Sequence, residues 1–218
     1  MSPFTTARLA LQRSRFFGPA ALAALVLLAG CTALKKCAYE GFGRDGWQQP
    51  EKVVQSLAIK PGDRVADLGS GSGYFTFRLS QAVGSTGKVY AVDVDEDMLE
   101  DLVERARKDA YGNIEKILAK YDDPSLPEAG VDLIFTSNVY HHIDSRAKYF
   151  ADAAKYLRPG GRVAIVDFNG RHWSATFVGH TTPVELIKNE MQEAGYRLES
   201  EFDFLDRQSF LVFSKKTQ

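Results

Sequence analysis

Three glycines at alternate positions lie between a short apolar run and a stretch typical of a helix. Residues 65–75 read Val-Ala-Asp-Leu-Gly-Ser-Gly-Ser-Gly-Tyr-Phe. Glycine permits a tight turn and lets backbone N–H groups approach a ligand closely, because it has no Cβ. Asp93 closes the next apolar run, where an acid can accept hydrogen bonds from both hydroxyls of a ribose. The sequence therefore predicts a nucleoside-binding site.

The spacing of the glycines decides which nucleotide is expected. Dinucleotide oxidoreductases carry G-x-G-x-x-G, which from Gly69 and Gly71 would require a third glycine at position 74. Tyr74 stands there, and the chain instead carries D-x-G-x-G-x-G beginning at Asp67. The spacing thus excludes the dinucleotide form of the turn.

Apolar and amphipathic runs alternate along the chain, which predicts an α/β fold. We expect strands near 63–68, 87–93, 113–118, 131–136 and 161–168, and helices near 50–57, 73–83, 96–109, 144–157 and 182–194. Pro159 and Gly160 are predicted to form a turn before the fifth strand. Two more strands, near 196–202 and 208–213, follow each other without a helix between them. Ligands of such sheets bind at the carboxyl ends of the strands.

The glycine motif resembles the first motif of class I S-adenosylmethionine-dependent methyltransferases, and further motifs of that family follow in order over about residues 50 to 214. They resemble most closely the small-molecule methyltransferases of the quinone-biosynthesis type. The resemblance implies a three-layer Rossmann-like fold with a seven-stranded sheet whose last strand is antiparallel. It also implies S-adenosylmethionine as cofactor, bound by Asp67, Gly69, Ser70, Gly71, Gly73, Tyr74, Asp93, Val94, Asp122 and Asn138.

Within that resemblance each end of the cofactor has an expected partner. Asp67 matches an acid near the ammonium group of the cofactor. Asp93 matches an acid that binds the ribose, and Val94 matches an apolar residue that packs on the adenine. Asp122 matches an acid that contacts the adenine amino group. The segment 136–143, which contains Asn138, matches the one beneath the methionine end.

The histidines are the candidate catalytic residues. Methyl transfer requires an aligned acceptor and, for a hydroxyl or an acidic carbon, removal of its proton, a role that suits histidine. His142, His172 and His141 are the expected bases, while His180 can simply precede a helix beginning at Thr181 or Thr182. The His141–His142 pair can alternatively serve packing or cofactor positioning. A metal held by the histidines and Asp167 is a further alternative, but no H-x-x-x-H spacing supports it, and no metal is expected.

The acceptor is expected against residues 169–180, which follow the fifth strand. Trp173 and Phe177 suit a flat or apolar molecule, and Arg171 can pair with an acid on it. The alternative is that these aromatic residues only anchor a long loop. The sequence thus favours a small acceptor of aromatic or lipophilic character.

The beginning of the chain has the layout of a bacterial lipoprotein signal peptide. Arginines precede an uncharged run at 16–34, no acid occurs before Glu40, and Leu28-Ala29-Gly30-Cys31 resembles a lipoprotein processing box. We expect a signal peptide over 1–30, lipidation of Cys31, a tether and lid over 31–49, and the catalytic domain over 50–218. Trp47 of the tether can alternatively only anchor the first helix. The expected location is the cell envelope, where a lipid anchors the chain to a membrane.

Two other kinds of N-terminal targeting segment, called leaders here, fit the same composition. The uncharged run is long enough to stay as a membrane helix, and an acid-free, arginine-containing leader is also typical of mitochondrial import. Export conflicts with the cofactor, because S-adenosylmethionine is made and held in the cytosol. A second functional class therefore stays open, namely an exported lipoprotein that uses the fold to bind a ligand or partner without catalysis.

Charge and cysteine content exclude other classes. Of 27 basic and 28 acidic residues, three arginines fall in the first thirty residues, so that 24 basic residues face 28 acids in the remainder, a net charge of −4. Nucleic-acid binding depends on basic residues that neutralise phosphates, and no nucleic-acid partner is expected. Two cysteines, Cys31 and Cys37, specify neither a disulfide framework nor a zinc site.

Overall fold

A computed structural model describes residues 43–171 and 181–216. Its strands are β1 (Arg64–Leu68), β2 (Lys88–Asp93), β3 (Ile114–Leu118), β4 (Val131–Ser137), β5 (Leu157–Phe168), β6 (Tyr196–Phe202) and β7 (Gln208–Lys215). Its α-helices are α1 (Arg44–Gln48), α2 (Pro50–Ser56), α3 (Thr76–Val83), α4 (Glu96–Lys108), α5 (Arg146–Ala153) and α6 (Val184–Glu193). Two 3-10 turns cover Tyr140–His142 and Ala154–Tyr156. The predicted signal peptide, Cys31, His172 and His180 lie outside the described residues, as do Trp173 and Phe177 of the expected acceptor wall.

The seven strands form one sheet in the order β3-β2-β1-β4-β5-β7-β6. Strands β1 to β5 pair in parallel, whereas β7 is antiparallel to both β5 and β6. This confirms the predicted α/β fold and its antiparallel last strand. Phe168 at the end of β5 pairs with Gln208 at the start of β7, so the beginning of β7 lies at the edge where the parallel strands end.

Successive residues of β1 enter two different cores, because side chains alternate across a strand. Val65 packs on one face with buried residues of α2 and α3, among them Leu57, which follows α2, and Leu79. Ala66 packs on the other face with buried residues of α5 and α6, which include Phe150 and Ile187. Helices therefore cover both faces of the sheet and leave its carboxyl edge for ligands.

Local differences from the sequence prediction have physical causes. The helix expected over 144–157 ends as a 3-10 turn at Tyr156, and the turn predicted at Pro159 and Gly160 lies within β5. Val131 pairs with Leu157 but Leu133 pairs with Arg162, so the intervening residues bulge from the register. The predicted turn before the fifth strand was therefore wrong, since the strand begins before it and resumes after it.

The ends of three helices also matter for the site. The last residues of the predicted tether form α1, which precedes α2 across Gln49. Asp95 caps α4 by accepting the N–H of Met98 at 3.2 Å. Helix α6 follows Pro183 with no side-chain cap, so the cap expected from Thr181 or Thr182 was wrong. Among the helices of 43–171 and 181–216, none is both long and apolar enough to cross a membrane.

Candidate active site

The glycine turn lies directly against the segment that follows β4. The N–H groups of Gly69 and Ser70 donate to the carbonyl oxygen of Val92 at 2.7 and 3.1 Å, which fixes the turn on β2. Gly69 has a φ of +77°, and a Cβ there would overlap the side chain of Val139. A residue without a side chain is therefore required at this position.

Asp93 ties the second glycine to the end of β2. Its Oδ2 accepts the N–H of Gly71 at 2.7 Å, and its Oδ1 accepts the N–H of Asp95 at 3.0 Å. The carboxylate is half-buried and faces the turn from the strand end. This is the position that the sequence predicts for a ribose-binding acid.

A cavity of about 430 Å³ opens between the ends of β1, β2 and β4. Most of its lining is apolar, and four predicted cofactor residues, together with one predicted base, line it: Gly69, Asp93, Val94, Asn138 and His142. An apolar cleft with a carboxylate at its wall suits a flat heterocycle joined to a ribose. The donor set therefore fits the adenosine part of S-adenosylmethionine.

Asp67 lies beneath the turn, on the face of β1 that is turned toward α3. It is 3% exposed, and Thr76 Oγ1 donates to its Oδ2 at 2.6 Å. Burial raises the pKa of this carboxyl to about 7, although the Thr76 hydrogen bond and Arg44 act in the opposite direction. A buried acid of this kind favours a nearby cation over water as its partner. Ser70 Oγ is also buried and has no hydrogen-bond partner among the described residues.

The structure does not bring all the predicted cofactor residues to one cavity. Gly73 and Tyr74 line a second cavity of about 250 Å³. Tyr74 donates its hydroxyl proton to Asp45 of α1 at 2.6 Å, and the guanidinium of Arg44 lies 3.7 Å from its ring centroid. Asp122 is exposed and lines a third cavity of about 500 Å³ with other charged residues. A cofactor role for Tyr74 and Asp122 stays a prediction.

One of the predicted bases contacts an acid from the next strand, and a second packs against the first. His141 Nδ1 lies 2.7 Å from Oδ1 of Asp167, which is fully buried near the end of β5. Thr182 Oγ1 donates to the other oxygen of Asp167 at 3.0 Å, a use of this residue that the sequence did not reveal. The ring of His142 lies 4.1 Å from that of His141, and it joins this acid–histidine pair to the cavity at the ends of β1, β2 and β4.

The start of β7 supplies residues that sequence reasoning missed. Gln208 Nε2 donates to Oδ1 of Asn138 at 2.5 Å, and Gln208 is 2% exposed. Arg207, one residue earlier, places its guanidinium 5.4 Å from the ring centroid of Trp47. The signal was available in the prediction of an antiparallel last strand, because such a strand begins where its parallel neighbours end.

Helix α1 lies over the same edge. Gln48 is fully buried and its Nε2 donates to Ser137 Oγ at the end of β4, at 2.8 Å. Trp47 stacks on Phe168 at the end of β5, with ring centroids 5.8 Å apart. The segment predicted as a tether therefore ends in a helix that contacts the ends of two central strands.

The charged groups of the site form no cluster typical of a metal centre. Over 43–171 and 181–216, no group of three or more His, Cys, Asp or Glu side chains is placed to hold a metal ion.

Comparison with known proteins identifies the family. Residues 59–204 match a family model described as a methyltransferase domain. A ubiquinone/menaquinone biosynthesis C-methyltransferase of Francisella philomiragia is 32% identical over 120 residues, which cover 55% of this chain and 48% of that protein. An arsenite methyltransferase of Halobacterium salinarum is 34% identical over 110 residues, covering 50% of this chain and 28% of that protein. The chain thus spans half the length of these curated relatives or less.

Solved structures show the same fold. A SAM-dependent methyltransferase from Aquifex aeolicus superposes with a TM-score of 0.71 at 24% identity, over 91% of this chain and 98% of that one. With the family match, the glycine turn and the Asp93 contact, the resemblance noted in the sequence is confirmed. The chain belongs to the methyltransferase domain family, in the class whose methyl donor is S-adenosylmethionine.

Proposed function

We propose that the chain methylates a small-molecule acceptor and that His141 removes the acceptor's proton. One observation carries this proposal: the cavity that fits adenosine is lined by His142, whose ring packs on a histidine held by the buried Asp167. S-adenosylmethionine, when bound, supplies a methyl group on a positively charged sulfur. The residues of the chain have to orient the two reactants, exclude water and accept a proton.

The binding residues divide the donor between them. We propose that Asp93 and the backbone of the turn hold the ribose, and that Asp67 beneath the turn pairs with the ammonium group. Because burial raises the pKa of Asp67 to about 7, this carboxyl is only partly charged at neutral pH and carries its full charge only well above it. Pairing with a cation would favour its charged form and pull its pKa down.

The proton-removing step uses the His141–Asp167 pair. With a proton on Nδ1, His141 donates to Asp167 and leaves the lone pair of Nε2 for the proton of an acceptor hydroxyl or acidic carbon. The carboxylate then stabilises the imidazolium that forms, and Thr182 holds the second carboxylate oxygen in place. His142 is exposed and lines the cavity, so we propose that it positions the reactants.

The row of rings at this edge supports a flat acceptor. Four rings follow one another in space in the order His142, His141, Phe168 and Trp47. The centroids of successive rings lie 4.1, 6.3 and 5.8 Å apart. Such a row suits an aromatic ring better than an inorganic substrate. Of the acceptors that the named relatives suggest, a quinone precursor is therefore favoured over arsenite. The comparisons lend no support to the non-catalytic alternative.

Two measurements on the full chain test the proposal. Calorimetric titration with S-adenosylhomocysteine should show saturable binding, and labelled methyl groups from S-adenosylmethionine should appear in small molecules of a cell extract. Transfer should be lost in His141→Asn, while this variant keeps its affinity for S-adenosylhomocysteine. Absence of binding in a chain with a normal melting transition, or full transfer by His141→Asn, would contradict the proposal.

We also propose that the chain is carried to the cell envelope and anchored by lipid on Cys31. The support is the order of arginines, uncharged run and processing box in the first thirty-one residues. Mass spectrometry of the mature protein should find residue 31 as an acylated N-terminus. An N-terminus at Met1, or a cleaved terminus without lipid, would refute the lipid anchor.

A further inference from the structure

We infer that Arg207 binds an anionic group on the acceptor, so that this site takes a flat aromatic acid. The inference deepens the proposed function and rests on it, since it assigns the chemical class of the acceptor at the same site. It depends on the side chains around the start of β7, which no sequence motif singles out.

The position of Arg207 is set by the sheet. Phe168 pairs with Gln208 in the β5–β7 register, and the N–H of Asn169 donates to the carbonyl oxygen of Arg207 at 3.1 Å. Arg207 therefore stands one residue outside the ladder, beside the end of the strand that carries Asp167. Its guanidinium lies at the far end of the ring row from His142, over the ring of Trp47.

The contact that holds the guanidinium of Arg207 is with an aromatic ring, that of Trp47. Among the described residues no carboxylate pairs with its guanidinium, whereas Arg146 pairs with Glu190 at 2.8 Å and Arg158 with Asp132 at 3.1 Å. The side chain is half-buried and is held by stacking on an aromatic face, which leaves its N–H edge available. A cation fixed in this way at a ligand-binding edge is suited to an anion.

Neighbouring polar atoms point to the same conclusion. Gln208 Oε1 and Ser209 Oγ are buried and have no hydrogen-bond partner among the described residues. Unpaired buried polar atoms are rare and commonly occur at functional positions. Gln208, next to Arg207 and opposite Phe168 in the sheet, thus holds an unsatisfied carbonyl oxygen at this edge.

The chemistry of the ligand follows from these contacts. A planar guanidinium binds a carboxylate with two parallel hydrogen bonds, which fixes both distance and orientation. The half-buried rings of Trp47 and Phe168, stacked beside Arg207, then offer a flat surface to the aromatic body of the acceptor. An aromatic acid satisfies both features, whereas a neutral quinone ring satisfies only the second.

Benzoate and benzamide are matched probes for this inference, since they share a ring and differ in charge. The full chain is saturated with S-adenosylhomocysteine, and each probe is titrated by calorimetry. We expect benzoate to bind about ten- to hundred-fold more tightly than benzamide, the range expected for hydrogen bonds to a charged group. Arg207→Met keeps a long unbranched side chain beside Trp47 without the charge, and it should remove this preference while changing benzamide affinity less than about two-fold.

Arg171→Met is the control, because Arg171 is the cation that the sequence favoured and its side chain is exposed. It should keep the preference for benzoate. Equal affinities for the two probes, no benzoate binding, or loss of the preference in Arg171→Met alone would overturn the inference. If S-adenosylhomocysteine binds and the preference is absent, only the inference fails. If S-adenosylhomocysteine itself does not bind, the proposed function fails first.

Discussion

The donor side and the acceptor side of this site are built in different ways. The donor side uses consecutive backbone of the glycine turn and one acid, Asp93, that contacts Gly71 only 22 residues away. The acceptor side joins side chains that are far apart in the chain, such as Gln48 with Ser137 and Asn138 with Gln208. The first is a local device that many acceptor specificities can share, and the second is where a particular acceptor is selected.

Removal of the Asp93 carboxylate should have a large effect, and this effect should be confined to the affinity for the donor. Asp93→Ala removes the carboxylate that accepts two backbone N–H hydrogen bonds and that is the predicted partner of the ribose. Each hydrogen bond to a charged group is worth about 1.5–3 kcal/mol. We expect affinity for S-adenosylhomocysteine to fall about a hundred-fold or more in calorimetry. Asp97→Ala, at an acid in the first turn of α4, should bind normally. Equal losses in both variants would show that α4, and not the carboxylate, sets the affinity.

Substitution of His141 should separate the effects of the two sides, since it should lower methyl transfer and leave cofactor binding unchanged. His141→Asn is expected to lower methyl transfer by about 10²- to 10⁴-fold, the usual contribution of a general base, with unchanged binding of S-adenosylhomocysteine. Asp167→Asn should follow it, because a neutral amide no longer holds the Nδ1 proton. His142→Asn serves as the comparison and should retain more activity than either. A larger loss in His142→Asn would move the base to that residue.

The pH dependence of stability and of cofactor affinity should reveal the ionisation of Asp67 on the donor side. Because burial raises its folded pKa to about 7, above an unfolded value of about 3.9, the folded chain binds this proton more tightly. The resulting stabilisation is complete below about pH 4 and is lost as the pH rises through about 7. The melting temperature should therefore fall over this interval, while affinity for S-adenosylmethionine rises.

Asp67→Asn mimics the protonated acid and tests both trends at once. It should flatten the pH dependence of the melting temperature and should bind S-adenosylmethionine weakly at every pH. Calorimetry and thermal melts from about pH 5 to about pH 8 measure the two effects. Unchanged pH profiles in the variant would assign the dependence to another group.

The smallest effect is expected where α1 meets β4. Gln48→Leu keeps most of the buried volume but leaves Ser137 Oγ without its donor, which should cost about 1–3 kcal/mol of stability. Methyl transfer should decrease through a higher KM for the acceptor, with affinity for S-adenosylhomocysteine within about two-fold. Gln55→Leu, in the adjacent helix α2, is a control on an exposed surface. A loss of cofactor affinity in Gln48→Leu would place α1 on the donor side instead.

Sequence reasoning identified the donor side because its parts are local. The alternate glycines, Asp67 and Asp93 are recognisable from type and spacing. The alternation of elements predicted the α/β fold, and the family resemblance implied the antiparallel last strand. Asp122 also follows such a pattern, yet it lies in a neighbouring cavity because the chain turns at Lys120 and Asp123, which exchange backbone hydrogen bonds. A spacing fixes a position along the chain but not the direction of a side chain after a turn.

The acceptor side was predicted only in part. His141 and His142 were found because they follow a strand, but the sequence could not rank them, since only the β4–β5 register brings Asp167 to His141. Thr182 was expected as a helix cap and instead binds Asp167. Arg207 and Gln208 carry no motif, and they join the site only through the position of β7 in the sheet.

The place of β7 also sets an order of events during synthesis of the chain. β6 leaves the ribosome before β7, yet β7 lies between β5 and β6, so β6 has no partner strand until residues 208–215 have been made. The donor half can assemble from β1 to β4 while β5 still has an open edge on its other side, and an open strand edge invites pairing with other chains. A nascent chain stalled before residue 208 would thus expose the unpaired edge of β5, and this interval is where a chaperone would be most needed.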